Sequence, residues 1–457
     1  MLKHHVREML QKRVGGQNYL DAPEDLICYS YDATLSETRP EAVLLPESTA
    51  QVSEIMKIAD RESIPVTARG AGTNLSGGSI PQNKGIVLAF TRMNRILEIS
   101  KKNRLAVVQP GVVNGHLQVE LSRQGLFYPP DPGSLNVSTL GGNVAENASG
   151  LKGAKYGVTR DYLLGLTVVL ADGRIIKTGG RTVKNVTGMD LTSLFCGAEG
   201  ALGIITEITL KLIPQPEAQR SIQASFADLD AAGHTVTHII SSGILPVALE
   251  LMDSTTINLI EDYTRFGLPR DAAGLLLIMV DGAKESLGRQ VDRIKAICRE
   301  QGAERIKVAN SPEENDALWE ARRNQFAVMT RARPTCIVED MTVPISDLPA
   351  MILAIRKIAE KYDLLIACTA HAGDGNLHPH FLTDKSDPEE WRRVKAAEAE
   401  IVNKAAELGG ALSGEHGIGM AKTEYMDLFL HRDSRRIMGE IKKVLDPKGI
   451  LNPGKWL

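Results

Sequence analysis

Ten histidines are spread over 457 residues, and two of them stand seven positions apart in His371-Ala-Gly-Asp-Gly-Asn-Leu-His378. The apolar run Leu364 to Cys368 comes just before them. A strand, a tight Gly-Asp-Gly turn and a return strand would carry both imidazoles to one point. Downstream, Ser413-Gly-Glu415-His416-Gly-Ile-Gly419 sets a carboxylate beside an imidazole between glycines, offering one ligand and one base. Two imidazoles and a carboxylate are a common ligand set for catalytic zinc, manganese or iron, with a position left for substrate. His380 serves as well as His378 for the second imidazole. Each histidine taken singly also has a plainer reading, as a satisfied core or surface side chain.

A second kind of chemistry is suggested by glycine. Ile64-Pro-Val-Thr-Ala68 reads as a strand running into Arg69-Gly-Ala-Gly-Thr-Asn-Leu-Ser-Gly-Gly78. Glycines let backbone N–H groups approach a phosphate and form an anion-binding nest. Gly70 and Gly72 fit the first two positions of a dinucleotide fingerprint, but Leu75 holds the third, and no Lys-Ser/Thr ending marks a P-loop. Alone, the loop is equally a structural turn. Two more follow: Asp131-Pro-Gly-Ser134 leading through Ser138-Thr-Leu-Gly-Gly-Asn143 to Asn147-Ala-Ser-Gly150, and Gly197-Ala-Glu-Gly-Ala-Leu-Gly203-Ile-Ile205. A long extended ligand touched by backbone at many points would account for all three.

The elements that must position these loops follow from periodicity. Gly85 to Phe90, Ala106 to Gln109 and Leu166 to Leu170 read as strands. Asp172-Gly173 joins the last of these to Arg174-Ile-Ile-Lys177 as a hairpin. Between Thr49 and Asp60, Val52, Ile55, Met56 and Ala59 recur at helical spacing. Pro214 and Pro216 close this region, and a more charged texture follows. Leu275 to Val280 reads as a buried strand. One helical face is drawn by Leu348, Met351, Ile352, Ile355 and Ala359. Another is drawn by Val394, Ala397, Ile401 and Leu408, and Gly409-Gly410 stops it. Neither an internal repeat nor a low-complexity segment is visible.

Composition sets the limits. At 457 residues, 43% of them hydrophobic, two packed domains are expected. A net charge of -3 gives no bulk attraction to nucleic acid or to an anionic membrane. No apolar run fit for a signal peptide follows Met1 to Val14, and no stretch reaches membrane-spanning length, so a cytoplasmic protein is expected. Cys28, Cys196, Cys298, Cys336 and Cys368 form no C-x-x-C pair. They read as buried apolar thiols in a reducing compartment, and an iron–sulfur cluster within this chain is not expected.

From Pro40-Glu-Ala-Val-Leu-Leu-Pro46 to about Pro216, the ordered loops resemble the FAD-binding module of the vanillyl-alcohol oxidase superfamily, the p-cresol methylhydroxylase type. The resemblance implies an α+β chain: a two-subdomain FAD-binding domain over 1–216, an α+β cap or substrate domain with an antiparallel sheet over 217–410, and a segment 411–457 returning to the first. It places Arg69, Gly70, Ala71, Gly72, Thr73, Asn74, Gly77 and Gly78 around the FAD pyrophosphate. Pro132, Gly133, Ser134, Thr139, Gly141, Gly142, Asn143, Asn147 and Gly150 would line adenosine and isoalloxazine, together with Gly203 and Ile205. Pro46 and Tyr156 join the binding set, and Asn452 and Lys455 of the C-terminal segment would return to the flavin. Covalent members attach flavin through a His shortly after the first glycines. Thr73 stands there, implying non-covalent FAD.

The two histidine motifs resemble the D-2-hydroxy-acid dehydrogenase branch, which includes glycolate oxidase flavin subunits and D-lactate dehydrogenases. That resemblance makes His371, His378 and Glu415 ligands of a divalent metal, zinc, manganese or iron, and His416 the catalytic base. Trp319-Glu-Ala-Arg322 resembles the branch's substrate-carboxylate motif, and a planar guanidinium suits both oxygens of a carboxylate. Arg323 is the neighbouring alternative, with a surface ion pair as the plain reading. Relatives acting on 2-hydroxyglutarate carry a Lys where Val338 stands, which points to a short substrate such as lactate or glycolate.

The expected reaction transfers the Cα hydrogen to flavin N5 while His416 takes the hydroxyl proton and Arg322 holds the carboxylate. Electrons would leave to a quinone or a partner protein, an iron–sulfur subunit or an electron-transferring flavoprotein. The assembly would be a homodimer or hetero-oligomer, at most peripheral to the inner face of a membrane through that partner. Three rivals are another flavoenzyme of the superfamily, a flavin-free metal-dependent hydrolase, and a catalytically silent subunit. The intact Glu415-His416 pair speaks against the last.

Overall fold

The computed structural model describes residues 2–456 and divides into two compact units. The first comprises Met1–Ser149, Val158–Gln215 and Glu415–Leu457; the second comprises Gly150–Gly157 and Pro216–Gly414.

The first unit contains two main sheets. In the smaller, Ala42–Leu44, Ile86–Ala89 and Val66–Arg69 are parallel, and Tyr19–Leu20 adds antiparallel at the edge. The helix Thr49–Glu62 carries the chain from Ala42–Leu44 to Val66–Arg69, the two strands that flank Ile86–Ala89. Ser48 caps it by accepting from Gln51 N, and its periodic residues Val52, Ile55, Met56 and Ala59 are buried. The same core takes Val6, Leu10 and Val14 from the helix His4–Val14, and Ile450 and Leu451 from the C-terminal segment.

The larger sheet is antiparallel, in the order Ile96–Ser100, Leu105–Val108, Ile204–Lys211, Leu163–Val169, Ile175–Gly179. The expected hairpin is present: Gly173 N donates to Leu170 O and Leu170 N to Arg174 O across the turn. Tyr128, Leu140, Val144 and Phe195 fill the core against this sheet.

The second unit is built on one eight-stranded sheet. Its path runs Arg305–Val308, Ala218–Phe226, Gly274–Gly282, Ala248–Asp253, Leu365–His371, Asn376–Thr383, Thr335–Val338, with Met341–Thr342 also pairing Asn376–Thr383. Every pairing is antiparallel. The helices Ser254–Thr264 and Pro312–Ala332 share a core with Ala248, Met252, Leu275 and Leu277. The helices Lys284–Glu300, Leu229–Ser241, Leu348–Tyr362 and Pro388–Glu407 pack side by side in that order.

The cysteine expectation needs one correction. Cys196, Cys298 and Cys368 are buried and Cys336 is partly so, but Cys28 is exposed. It ends the short helix Pro23–Ile27, whose residues are all at least partly solvent-accessible, so it has no core to enter. No described helix is long and apolar enough to cross a membrane.

Candidate active site

In the second unit the expected strand–turn–strand is formed. Leu365–His371 pairs with Asn376–Thr383, in register His371↔Asn376, Thr369↔His378 and Ala367↔His380. Side chains on directly opposed residues share a face, so His371, Thr369, His378 and His380 lie together. The intervening turn passes through Gly375 at φ +79°, where a Cβ would come within 2.2 Å of Val343 O. Only glycine fits there. The His371 and His378 rings meet edge to face with centroids 5.0 Å apart, and both are buried.

The strand Ala248–Asp253 flanks this pair and puts Glu250 opposite His371. Glu250 is fully buried; its Oε1 lies 2.7 Å from His371 Nδ1 and its Oε2 accepts from Arg322 Nε at 2.8 Å. Burial pushes this carboxyl up, but the charges and hydrogen bonds of His371 and Arg322 outweigh that and hold it below the usual carboxylate range.

Arg322 comes from the helix Pro312–Ala332, which is pinned to the sheet by polar groups near helical spacing. Trp319 Nε1 donates to Ser221 Oγ, and Ser221 Oγ to Asn315 Oδ1. Gln325 Nε2 donates to Thr369 Oγ1 and to His380 Nε2, each at 2.9 Å. Arg323, one residue on from Arg322, is exposed and donates to Asp316 O. Buried Asp340 lies 3.9 Å from His378 Nδ1 and accepts a hydrogen bond from Ser413 Oγ. Glu250 and Gln325 escaped sequence reasoning. A signal for Glu250 exists, since it is the one charge in the apolar run Val247-Ala-Leu-Glu-Leu-Met252.

Two cofactor-site candidates belong to this unit. Gly150 opens the segment Gly150–Gly157, and Tyr156 within it donates its hydroxyl to Asp281 at 2.8 Å. Lys155 pairs with the same carboxylate.

The first unit carries the remaining candidates. Pro46 is buried just beyond the strand Ala42–Leu44. Arg69 ends the strand Val66–Arg69, is buried, donates to Ser79 Oγ and lies over the Tyr29 ring. Gly70 to Gly78 form the loop that follows, including Ala71, Gly72, Thr73 and Gly77. Asn74 shapes it: its Oδ1 accepts from Ser76 N and Gly78 N, and its Nδ2 donates to Glu146. Pro132, Gly133 and Ser134 form a turn in which Ser134 O accepts from Ser138 N. Thr139 caps the helix Leu140–Glu146, which contains Gly141, Gly142 and Asn143 and ends on left-handed Asn147. Gly203 and Ile205 stand at the start of the strand Ile204–Lys211.

Within this unit Ser138 Oγ and Asn143 Nδ2 are buried with no hydrogen-bond partner among the described residues. A buried orphan donor costs about 1–3 kcal/mol, so these atoms fit a polar ligand between the glycine loops. FAD, with its pyrophosphate, ribose and amide edges, meets that requirement.

Glu415 and His416 open the final segment of the first unit. Glu415 accepts from Ser149 Oγ at 3.1 Å, and its other oxygen lies 3.7 Å from His416 Nε2. The loop is anchored by Glu199, whose two oxygens accept from Ile418 N and Gly419 N. Burial raises the carboxyls of both Glu146 and Glu199, and their mutual repulsion adds to the rise at Glu146. Asn452 Nδ2 donates to Gly78 O and Glu199 O, and Lys455 Nζ to Ile80 O. The C-terminal segment is therefore built into the first unit. Burial lowers the Lys455 ammonium to about 8.

Comparison with known proteins agrees with this arrangement. Residues 40–179 match the model of an FAD binding domain, and residues 215–456 match that of the FAD linked oxidases, C-terminal domain. The glycolate oxidase subunit GlcD of Bacillus subtilis (strain 168) is 46% identical over 456 residues, 100% of this chain and 97% of that protein. A D-lactate dehydrogenase of Anaerostipes hadrus is 35% identical over 93% of this chain and 90% of its own length. The solved structure of p-cresol methylhydroxylase aligns with a TM-score of 0.82 over 99% of this chain and 96% of that one, at 18% identity, a likeness of fold. With a family model over 215–456 and a relative 46% identical along the whole sequence, this chain belongs to the FAD-linked oxidases and is an FAD-linked oxidoreductase.

Proposed function

We propose that this enzyme oxidises a small D-2-hydroxy acid, D-lactate or glycolate, to the 2-oxo acid with help from a divalent cation. The reading rests on one observation above all: two buried imidazoles, His371 and His378, meet on one sheet face beside an arginine fixed by Glu250. The names of the relatives, glycolate oxidase subunit and D-lactate dehydrogenase, support the substrate class.

His371, His378 and Glu415 are the proposed ligands; two neutral imidazoles and a carboxylate suit zinc, manganese or iron. Bound FAD supplies the acceptor for the Cα hydrogen, at N5, and a bound cation polarises the substrate oxygens. Arg322 binds the substrate carboxylate, because the Glu250 contact uses one of its five N–H donors. In its neutral form His416 accepts the hydroxyl proton as the hydride leaves. Val338 puts no positive charge at that position for a second carboxylate, which favours a short substrate. Electrons leave to a quinone or to a partner protein, an iron–sulfur subunit or an electron-transferring flavoprotein; that a relative is named as a subunit supports a partner protein.

Anaerobic flavin bleaching with D-lactate, L-lactate, glycolate and D-malate tests the proposal. D-lactate or glycolate should bleach the flavin, a chelator should abolish bleaching, and added manganese or zinc should restore it. Full-rate bleaching after exhaustive chelation would remove the cation, and bleaching by none of the four acids would remove the substrate class.

A further inference from the structure

Glu250 is a carboxylate with no exposed surface, set in a strand between Leu249 and Leu251, themselves buried. Burying such a charge is costly unless donors replace the lost water. Here both oxygens are engaged, one by Arg322 Nε and the other by His371 Nδ1. An arginine N–H can only donate. A carboxylate paired with an arginine accepts at both oxygens, so His371 Nδ1 carries the hydrogen, and in the neutral imidazole that can ligate a metal Nε2 carries the lone pair.

We infer that Glu250 is a positioning residue: it holds His371 in the tautomer and ring orientation that present Nε2 to the cation, and fixes Arg322 through the same carboxylate. The inference rests on the metal reading above and adds a residue that coordinates nothing itself. The link is built into the sheet, because Glu250 and His371 are directly paired across neighbouring strands. A ligand imidazole whose second nitrogen is fixed by a carboxylate is a better base and loses less freedom on binding metal. One group thereby sets two others, a cation ligand and the proposed anchor for the substrate carboxylate.

Glu250→Gln separates the possibilities. An amide offers one acceptor and one donor, whereas both neighbours donate. In one orientation the contact to Arg322 is lost; in the other the amide N–H faces His371 Nδ1 and drives its hydrogen to Nε2, where it blocks ligation. Manganese and zinc binding to the FAD-loaded protein, read by equilibrium dialysis with elemental analysis, should weaken by about 10- to 100-fold. KM for the hydroxy acid should rise, while the flavin spectrum stays that of the parent. Metal affinity and KM both unchanged in Glu250→Gln, with a parent that binds the cation, would overturn this inference alone. A parent that binds no cation and keeps full activity after chelation would overturn the metal reading and this inference with it. Should the variant fail to fold, the tautomer is read in the unsubstituted protein by NMR of isotope-labelled histidine. There, Nδ1–H at His371 supports the inference and Nε2–H overturns it.

Discussion

His378 and His380 stand two residues apart on one strand and face the same way, yet their surroundings differ. Gln325 donates to His380 Nε2 and to Thr369, so that nitrogen is occupied inside the protein. His378 instead meets the edge of His371, with Asp340 3.9 Å from its Nδ1. That difference favours His378 as the second ligand where spacing alone left the two equal. His416 is distinguished in another way, by Glu415 next to it and by Glu199, which holds the backbone two and three residues on. Replacing His416 by Ala should therefore slow flavin reduction by about 10²- to 10⁴-fold, the usual worth of a general base. The anchor on Glu199 remains, so the yellow cofactor should stay bound. Rapid-mixing absorbance of the FAD-loaded variant with substrate measures this; reduction at the parent rate would take the base role from His416.

Among the elements, legibility follows distance along the chain. The Asp172-Gly173 hairpin, the helix over Thr49–Glu62 and the strand–turn–strand around Gly375 each depend on neighbours in sequence, and each is present. What pattern could not give is pairing across long separations. Glu250 meets Arg322 72 residues away and His371 121 residues away. Its isolation in an apolar run says that a buried charge needs partners, without saying which. The C-terminal segment is a similar case. Its turn-rich sequence suits a surface coil, but Leu451 bridges Val66 in parallel and is fully buried. The clamp is Asp446, whose buried carboxylate accepts from Ile450 N, Leu451 N and Lys442 Nζ. Asp446→Ala would leave the Ile450 and Leu451 N–H groups without this acceptor and the Lys442 ammonium, still held by two carbonyls, without its counter-ion, and should cost about 3 kcal/mol. At roughly 2–4 °C per kcal/mol for a unit of this size, the melting temperature should fall by about 6–12 °C. Calorimetry on the purified variant checks it, and an unchanged melting temperature would show that the apolar contacts of Ile450 and Leu451 suffice.

For the whole molecule, the division of labour between the two units makes a thermodynamic claim. Most of the loops assigned to FAD lie in the first unit, and there Ser138 and Asn143 keep buried polar atoms without partners among the described residues. A ligand that supplies those partners binds the folded chain and not the unfolded one, so it must stabilise by mass action. At about 100 times its dissociation constant the gain is about 2.7 kcal/mol. Protein stripped of flavin should thus melt about 5–10 °C higher when FAD is restored at that excess. Asn143→Ala removes one orphan donor, which should raise the melting temperature of the stripped protein or leave it level while shrinking the increment given by FAD. The two effects have opposite bearing on the stripped and loaded forms, so a simple packing defect cannot imitate them. An increment equal to the parent's, measured over the same FAD titration, would show that Asn143 faces something other than the cofactor.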